Sequence, residues 1–146
     1  MAHFAKINDE NIVERVLVIN NIDVLNSSGD EEEGIGVAFC RELYGQNGRW
    51  KQTSYNKNIR GNYAGIGMTY MERVETLGVA STDIFIPQKP FESWVVGINT
   101  AQWYAPSPPG PAPALTNAEI AARKSYVWNE SNYNSNPATA WVLTSP

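Results

Sequence analysis

The feature that most constrains the fold is a run of β-branched residues between Ile12 and Ile19, with the sequence IVERVLVI. Such residues favour extended strands, where their stiff side chains pack well on a pleated surface. A shorter strand-like segment, His3–Ile7, precedes the run, and the turn-prone residues Asn8–Asn11 separate the two. This pattern predicts a β-hairpin over residues 3–19. Because apolar side chains fall on both faces of the second strand, we expect that strand to be central or covered on both sides.

The aromatic content points in the same direction. Aromatic residues make up 11% of the 146 residues and include five Trp and seven Tyr, while hydrophobic residues make up 42% and charged residues 18%. Aromatic side chains favour strands and act as rigid contact anchors at surfaces. We therefore expect a mainly β fold, built from β-hairpins and a small sheet with one or two short helices, and keep α+β as the alternative.

The best candidate for a helix covers roughly residues 30–44 and ends at Gly45. It opens with Glu31–Glu33 and continues with apolar residues that form one helical face. Acidic residues suit a helix N-terminus, and glycine commonly ends a helix. A solvated loop is the alternative structure, and metal binding by the three glutamates is a further hypothesis, although consecutive surface carboxylates are more often simply solvated.

Strand-like segments return after this helix. Arg49–Tyr55 alternates in character, 63–70 indicates strands and turns, and 71–86 indicates a hairpin or a long loop. The glycines at 61, 65 and 67 match neither the dinucleotide fingerprint nor the phosphate-binding loop, so we interpret them as positions of bulges or close backbone approach.

The most informative pattern is a loose repeat in the C-terminal third. Residues 93–104 and 126–142 each indicate a strand, a polar turn and a second strand, with one tryptophan per strand. The candidate binding residues at a protein interface are the four tryptophans of these hairpins and one tyrosine: Trp94, Trp103, Trp128, Trp141 and Tyr126. Burial in hairpin cores is the alternative for each tryptophan.

Five prolines between Pro106 and Pro113 separate the two hairpins and are typical of a polyproline-II spacer. Thr116–Glu119 then predicts a helix N-terminal capping box. We therefore expect a β-rich domain over 1–105, a proline-rich linker with a short helix over 106–125, and a C-terminal tryptophan hairpin over 126–146. An isolated hairpin is marginally stable, so the last segment is expected to dock, either on its own domain or as an arm on a neighbouring subunit.

Charge and cysteine content argue against several classes of protein. The net charge of −4 and pI near 5.0 disfavour a nucleic-acid partner, despite one local basic stretch at Arg49, Lys51, Lys57 and Arg60. No segment has the length of a membrane span or the character of a signal peptide, so we expect a soluble protein with no membrane partner. The single cysteine, Cys40, sits in an apolar run and is expected to be a buried free thiol.

No catalytic constellation stands out. The only histidine, His3, is near the terminus and is expected to be exposed, and one Cys with one His cannot supply a four-ligand zinc site. Carboxylates that a glycosidase would need are scattered without a distinctive spacing: Asp9, Glu14, Asp30, Glu42, Glu72 and Asp83. We expect a non-enzymatic protein that carries no cofactor and no metal.

Several segments resemble a group of small proteins from tailed phages of marine bacteria, particularly cyanophages. The resemblance rests on five segments: Met1–Ile7, Lys51–Asn56, Ile59–Gly67, Pro90–Trp94 and Tyr126–Glu130. It covers nearly the whole chain, with 20–34 and 105–124 the least distinctive. The proline spacer and the Asn132–Asn136 turn depart from the compact pattern expected of the group.

Members of that group are described as virion structural or uncharacterised proteins, so the resemblance implies a particle component and supplies no catalytic residues. It implies a virion location after assembly in the host cytoplasm. The implied partners are other virion proteins, either the major capsid protein or tail proteins, bound by many copies in a symmetric assembly. A head decoration or cement protein is the leading hypothesis. A tail or baseplate accessory, or a receptor or carbohydrate-binding module that uses exposed tryptophans, is the alternative.

Overall fold

The structure, a computed structural model, describes residues 1–76, 79–97 and 100–146. The fold is mainly β, with 33% of residues in strands and 22% in helices, as the sequence predicted. The chain divides into two units, each described by itself below. Unit 1 comprises Met1–Gln88 and Ile98–Gln102, and unit 2 comprises Lys89–Gly97 and Trp103–Pro146.

Unit 1 is built on a three-stranded antiparallel sheet in the order β2–β1–β3. Its strands are β1 (Ala2–Ile7), β2 (Val13–Ile19) and β3 (Arg49–Thr53). The predicted hairpin over 3–19 is confirmed, with Phe4 opposite Leu17 and a register shift near Ile7. The Asn8 side chain fixes its turn, because Oδ1 accepts hydrogen bonds from the backbone N–H groups of Glu10 and Ile12, both at 2.9 Å.

The second strand of this hairpin is not central, because β2 lies at an edge of the sheet and β1 is central. It is nevertheless covered on both sides, as the alternative expectation had it, since Ile19 belongs to one core of unit 1 and Val13 to the other. Val18 on β2 is 48% exposed, whereas Phe4 and Ala5 on β1 are fully buried. His3 belongs to this central strand and is half-buried with its ring edge-on to Tyr63, so the expected exposed terminal histidine is wrong. Partial burial lowers the pKa of His3.

One face of the sheet is covered by helix α1 (Glu33–Tyr44), which confirms the predicted helix and its end at Gly45. A short 3-10 helix, Asn21–Val24, leads into it. The core between helix and sheet contains six buried residues: Ala2, Phe4, Ile19, Val24, Cys40 and Trp50. Cys40 is a buried free thiol, as predicted, and burial raises its pKa to about 11.

The opposite face of the sheet is covered by a hairpin of β4 (Thr69–Thr76) and β5 (Val79–Ile86), which confirms the hairpin expected over 71–86. Leu77 and Gly78, between the two strands in the sequence, lie outside the described residues. The second core contains Ala5, Ile7, Val13, Ala64, Tyr70 and Phe85. Alternate residues of β1 therefore supply both cores of unit 1, which is the consequence of a period of two along a strand.

Unit 2 contains the second tryptophan hairpin and the strands of the first except Gln102, which is grouped with unit 1. The first pairs β6 (Val95–Gly97) with β7 (Gln102–Tyr104), and the predicted turn residue Asn99 lies outside the described residues. The second pairs β8 (Ser125–Trp128) with β9 (Trp141–Thr144). Both hairpins occur where the sequence placed them, except that Trp94 immediately precedes β6 rather than lying within a strand.

Short helices connect these strands. The capping box at Thr116 and Glu119 is confirmed and opens α2 (Asn117–Ala121). The expected asparagine-rich turn of the second hairpin is instead α3 (Glu130–Ser135) followed by the 3-10 helix Pro137–Thr139. Asn129 caps α3, since its Oδ1 accepts a hydrogen bond from the Asn132 backbone N–H at 2.8 Å, and a polar asparagine at this position is a preferred cap.

The two units differ in extent from the predicted domains 1–105, 106–125 and 126–146. Residues 89–97 group with 103–146, so the proline segment and the last hairpin belong to the same unit as the Trp94 segment. The physical reason is the packing of tryptophan rings described next. Whether the last hairpin also docks on a neighbouring subunit stays a prediction.

Candidate functional site

The centre of unit 2 is a cluster of tryptophan rings. The ring centroids of Trp128 and Trp141 are 5.2 Å apart, those of Trp94 and Trp128 are 5.8 Å apart, and those of Trp94 and Trp141 are 6.1 Å apart, all three pairs edge-to-face. Phe91 and Tyr133 add rings at 6.4 and 5.2 Å from Trp128. Edge-to-face pairs contribute about 0.5–1.5 kcal/mol each beyond the burial of their area. This cluster is therefore the main apolar core of unit 2.

Strand register explains how two of these rings meet. In the β8–β9 pair Trp128 is directly opposite Trp141, and Tyr126 is opposite Leu143 on the same face. Side chains at directly opposed positions lie about 4.5–5.5 Å apart at Cβ, close enough for large rings to touch. One tryptophan per strand at matched positions is thus the sequence pattern that forms the cluster.

Glu130 ties the Trp94 segment to this hairpin. Its Oε2 accepts hydrogen bonds from Trp128 Nε1 at 2.7 Å and Ser93 Oγ at 2.8 Å, and its Oε1 accepts one from the Ser93 backbone N–H at 2.9 Å. The hydrogen bond from Trp128, followed by those from Ser93, lowers the pKa of Glu130. The carboxylate holds the two segments together in its ionised form.

The proline segment packs on the same cluster, which corrects the prediction of a spacer without a core of its own. The Gly110 carbonyl accepts a hydrogen bond from Trp141 Nε1 at 2.9 Å, and Gly110 is buried. The Gly110 backbone N–H donates to the Pro106 carbonyl at 2.8 Å, so the chain turns here instead of extending. The turn therefore supplies the acceptor for the indole N–H of the half-buried Trp141.

The structure brings three of the five predicted binding residues together. Trp94, Trp128 and Trp141 form the cluster, and Trp128 is only 4% exposed, so its ring is committed to the core. Trp103 is half-buried with Lys89 Nζ 5.8 Å from its ring centroid, and Tyr126 is half-buried. Their role as interface residues stays a prediction.

Exposed apolar side chains lie next to the tryptophans, and none of them was predicted from the sequence. Val95, Tyr104 and Val127 are 51%, 43% and 48% exposed. Each is the chain neighbour of a tryptophan: Trp94, Trp103 and Trp128. On β8, successive side chains point to opposite faces, so Trp128 faces the core and Val127 points outward. This alternation is the signal in the sequence from which the exposed position of Val127 could have been predicted.

A separate charged network lies in unit 1 around Arg60. Its guanidinium donates to both oxygens of Glu33, at 2.8 and 3.1 Å, and its Nε donates to Asp83 Oδ2 at 2.6 Å. The Tyr70 hydroxyl donates to the same Asp83 oxygen at 2.7 Å. The Arg60 side chain is 15% exposed. Two carboxylates around one guanidinium satisfy its planar fork of donors, so this network joins α1 to β5.

The pKa values in this network shift as the geometry requires. Burial raises the pKa of Asp83, but hydrogen bonds from Arg60 and Tyr70 outweigh it, and the net shift is downward. Burial lowers the pKa of Arg60, while its hydrogen bonds to Glu33 and Asp83 raise it overall. Burial, followed by the hydrogen bond to Asp83, raises the pKa of Tyr70. Glu33 is thereby engaged with a cation rather than grouped with Glu31 and Glu32 around a metal.

Three of the four cations in the basic stretch lie against other side chains. Arg60 is paired as above, Arg49 Nη2 lies 3.2 Å from Glu72 Oε1, and Lys51 Nζ lies 5.7 Å from the Tyr70 ring centroid. Trp50, which the sequence placed among these cations, is 3% exposed. Three of the scattered carboxylates are likewise paired with cations: Glu14 with Lys6 at 3.8 Å, Glu72 with Arg49, and Asp83 with Arg60.

A groove with a volume of about 450 Å³ lies in unit 1. It lies between the β1–β2 turn and the loop that joins α1 to β3, and it is lined by cations and anions together, including Lys6, Asp9, Glu14 and Arg49. Among the described residues, no three His, Cys, Asp or Glu side chains converge as a metal site would require. Within those same residues no helix has the length and apolarity to cross a membrane.

Comparison with known proteins adds no family to this description. No family model, no curated protein and no solved structure matches the chain.

Proposed function

We propose that this protein is a non-enzymatic structural component of a tailed-phage virion. In this proposal it acts as a head decoration or cement protein, and its copies bind the capsid lattice in a symmetric array. The segments that resemble marine phage proteins support the proposal, among them Pro90–Trp94 and Tyr126–Glu130. Both of these segments contribute to the aromatic core of unit 2.

The observation that carries the proposal is the construction of unit 2 from two-stranded ribbons. The β8–β9 ribbon is a sheet of two strands in the part of the chain that the structure describes. Two-stranded ribbons are marginally stable alone, and unpaired edges are templates for association with another chain. The aromatic core stabilises the β8–β9 ribbon, and in this proposal an edge of that ribbon pairs with a strand of the partner.

The outward side chains of the same ribbons provide the apolar component of such an interface. Val95, Tyr104 and Val127 are each roughly half exposed and lie on three different strands. Large apolar and aromatic side chains form the anchors of protein interfaces, while their neighbours contribute mainly by excluding water. We infer that the partner, the major capsid protein, contacts these residues together with Trp103 and Tyr126.

Point variants in the full chain test this proposal better than truncation at residue 106, because truncation removes Trp128 and Trp141 from the core that holds Trp94. Particles are assembled with Val127→Asp or Tyr104→Asp protein, and Ile66→Asp is the matched control, since Ile66 is 77% exposed in unit 1. We expect at least about a tenfold loss of incorporation for the first two variants, because burying one unpaired carboxylate costs several kcal/mol, and no loss for the control.

Cryo-electron microscopy of purified wild-type particles measures copy number and position. Many copies on the head support decoration, whereas a few copies at the tail favour the accessory alternative. Absence from particles, together with glycan binding that is lost in the Trp103→Ala variant, favours the receptor alternative. Equal incorporation of all three Asp variants contradicts the proposed interface.

A Trp128→Ala variant separates the core of unit 2 from its surface. The loss of a buried tryptophan from a packed cluster costs about 3–5 kcal/mol, so residues 103–146 should become sensitive to limited proteolysis while unit 1 resists. Trp128→Phe keeps an aromatic ring but removes the donor to Glu130 Oε2, and we expect an intermediate result. Unchanged protease resistance in Trp128→Ala contradicts the assignment of this ring to the core.

A further inference from the structure

The loop between α1 and β3 contains the only Asn-Gly pair in the sequence, Asn47-Gly48. Asn47 is exposed, and the Gly48 backbone N–H makes only a long hydrogen bond of 3.4 Å to the Gly45 carbonyl. We propose that Asn47 is a site of spontaneous deamidation in the folded protein, with water as the only co-reactant. The product carries aspartate or isoaspartate at position 47.

The reaction is an intramolecular acyl transfer. The Gly48 backbone nitrogen loses its proton to solvent and attacks Asn47 Cγ, so that a new C–N bond forms. The bond from Cγ to the side-chain nitrogen breaks, and that nitrogen takes up a proton and leaves as ammonia, which yields a five-membered succinimide. Water then adds to either ring carbonyl and opens the ring, which leaves a carboxylate and either the normal or the β-linked backbone. No oxidant or reductant is required.

Glycine is required at position 48 by the core of unit 1. A Cβ at this position would lie 2.7 Å from Trp50 Nε1 and 3.2 Å from Trp50 Cδ1, and Trp50 is 3% exposed. Ordinary contacts between nonbonded heavy atoms are about 3.5–4.0 Å, so any larger residue would displace the tryptophan. The residue after Asn47 therefore has no side chain to hinder attack by its nitrogen, and packing of the core maintains this arrangement.

Two other asparagines that precede a small residue are protected by their surroundings. Asn26 Oδ1 accepts hydrogen bonds from the Ser28 and Asp30 backbone N–H groups, at 2.9 and 3.0 Å, which fixes its side chain. Asn134 and its neighbour Ser135 lie within α3, where the helical backbone fixes the position of the attacking nitrogen. These two sites serve as internal controls in the same molecule.

Deamidation changes the charge of the groove described above. Asn47 lines that groove with two cations, Lys6 and Arg49, and two anions, Asp9 and Glu14. Conversion of one neutral amide to a carboxylate changes the net charge from −4 to −5. In the isoaspartate product the backbone gains a methylene directly before Gly48, whose carbonyl accepts a hydrogen bond from Arg41 Nε at 3.0 Å. Deamidation therefore changes both the backbone of the loop and its charge.

The test is prolonged incubation of the full-length native protein at mildly acidic and mildly alkaline pH, followed by peptide mapping with mass spectrometry. We expect conversion at position 47 that is faster at the higher pH, because attack requires the deprotonated nitrogen. Asn26 and Asn134 should convert at least about tenfold more slowly, the ratio of rates for a barrier about 1.4 kcal/mol higher. The Asn47→Gln variant, which would need a less favourable six-membered ring, should show no new acidic species on ion exchange.

Three results would overturn the proposal. In the first, Asn47 stays intact in native protein but converts in urea, which means that the folded loop protects it. In the second, Asn26 or Asn134 converts as fast as Asn47 in native protein. In the third, the acidic species persists in the Asn47→Gln variant, which places the change of charge elsewhere.

Discussion

Helix α1 contains two glycines, Gly34 and Gly36, and the structure predicts opposite effects when each is replaced by alanine. Gly36 packs against the ring of Phe4, and a Cβ at this position would lie 2.6 Å from Cε2, 2.8 Å from Cε1 and closer still to Cζ. Phe4 is fully buried on the central strand of the sheet, so its ring has no open space to move into. Gly34 is exposed, and its Cβ would meet only Glu32 Oε1, at 4.0 Å.

The magnitudes follow from two opposed effects. Replacement of glycine by alanine within a helix stabilises it by about 0.5–1 kcal/mol, through backbone entropy. Overpacking of a well-packed core costs about 1–3 kcal/mol, and contacts this short place Gly36→Ala at the upper end of that range. We therefore expect Gly36→Ala to lower the free energy of unfolding by about 2 kcal/mol, and Gly34→Ala to raise it by about 0.5 kcal/mol.

The assay is urea unfolding followed by the reactivity of the Cys40 thiol. Cys40 is the only cysteine and lies in the core between α1 and the sheet, so its labelling reports on unit 1. The double variant Phe4→Leu/Gly36→Ala measures the coupling, because a smaller side chain at position 4 leaves room for the new methyl group. A Gly36→Ala protein at least as stable as the wild type, or a double variant without positive coupling, refutes this account of the packing.

Two further predictions concern unit 1. Arg60→Met leaves Glu33 and Asp83 without their shared cation and should lower the free energy of unfolding by about 2 kcal/mol. This is less than the roughly 3–5 kcal/mol typical of fully buried pairs, because both carboxylates stay partly exposed. Arg60→Lys should recover part of the loss. Folding lowers the pKa of Asp83. Its contribution to the free energy of unfolding is therefore complete above the unfolded pKa of about 4 and is lost as the pH falls below that value. The urea midpoint of the wild type should consequently fall more steeply with acid than that of Arg60→Met. Parallel slopes for the two proteins would contradict this linkage. Cys40, with its pKa raised to about 11 by burial, should resist alkylation in native protein at mildly alkaline pH and react at the rate at which unit 1 opens; rapid native labelling would show that the helix does not cover it.

Local sequence patterns predicted the strands and helices of this fold better than they predicted which of these elements lie side by side. The run from Ile12 to Ile19 predicted a strand because β-branched residues favour one, but the order of strands depends on partners distant in sequence, and β2 lies at an edge. The acidic start and glycine end of α1 were readable for the same local reason. Asn129 followed by an acidic residue is a typical start of a helix and could have indicated α3. The high turn propensity of the asparagines that follow favoured a turn instead.

The candidate site shows the same limit. Four tryptophans at regular positions predicted two hairpins, and nothing local indicated that Trp141 Nε1 donates to Gly110, 31 residues away. The acceptor is a backbone carbonyl, which every residue carries, so no residue type at position 110 marks the contact. For the same reason the proline segment had the composition of a spacer while its backbone completes the core of unit 2.

Alternation along strands links the stability of unit 2 to its proposed binding surface. Trp128 belongs to the core, and its neighbour on β8, Val127, is exposed. A shift of register by one residue would exchange these two positions, exposing Trp128 and burying Val127. The ring contacts that hold the register therefore also determine which apolar side chains a partner meets. Substitution of a core ring should impair both folding and particle incorporation, whereas substitution of an outward neighbour should impair incorporation alone. That separation is the evidence needed to distinguish an interface from a core in this unit.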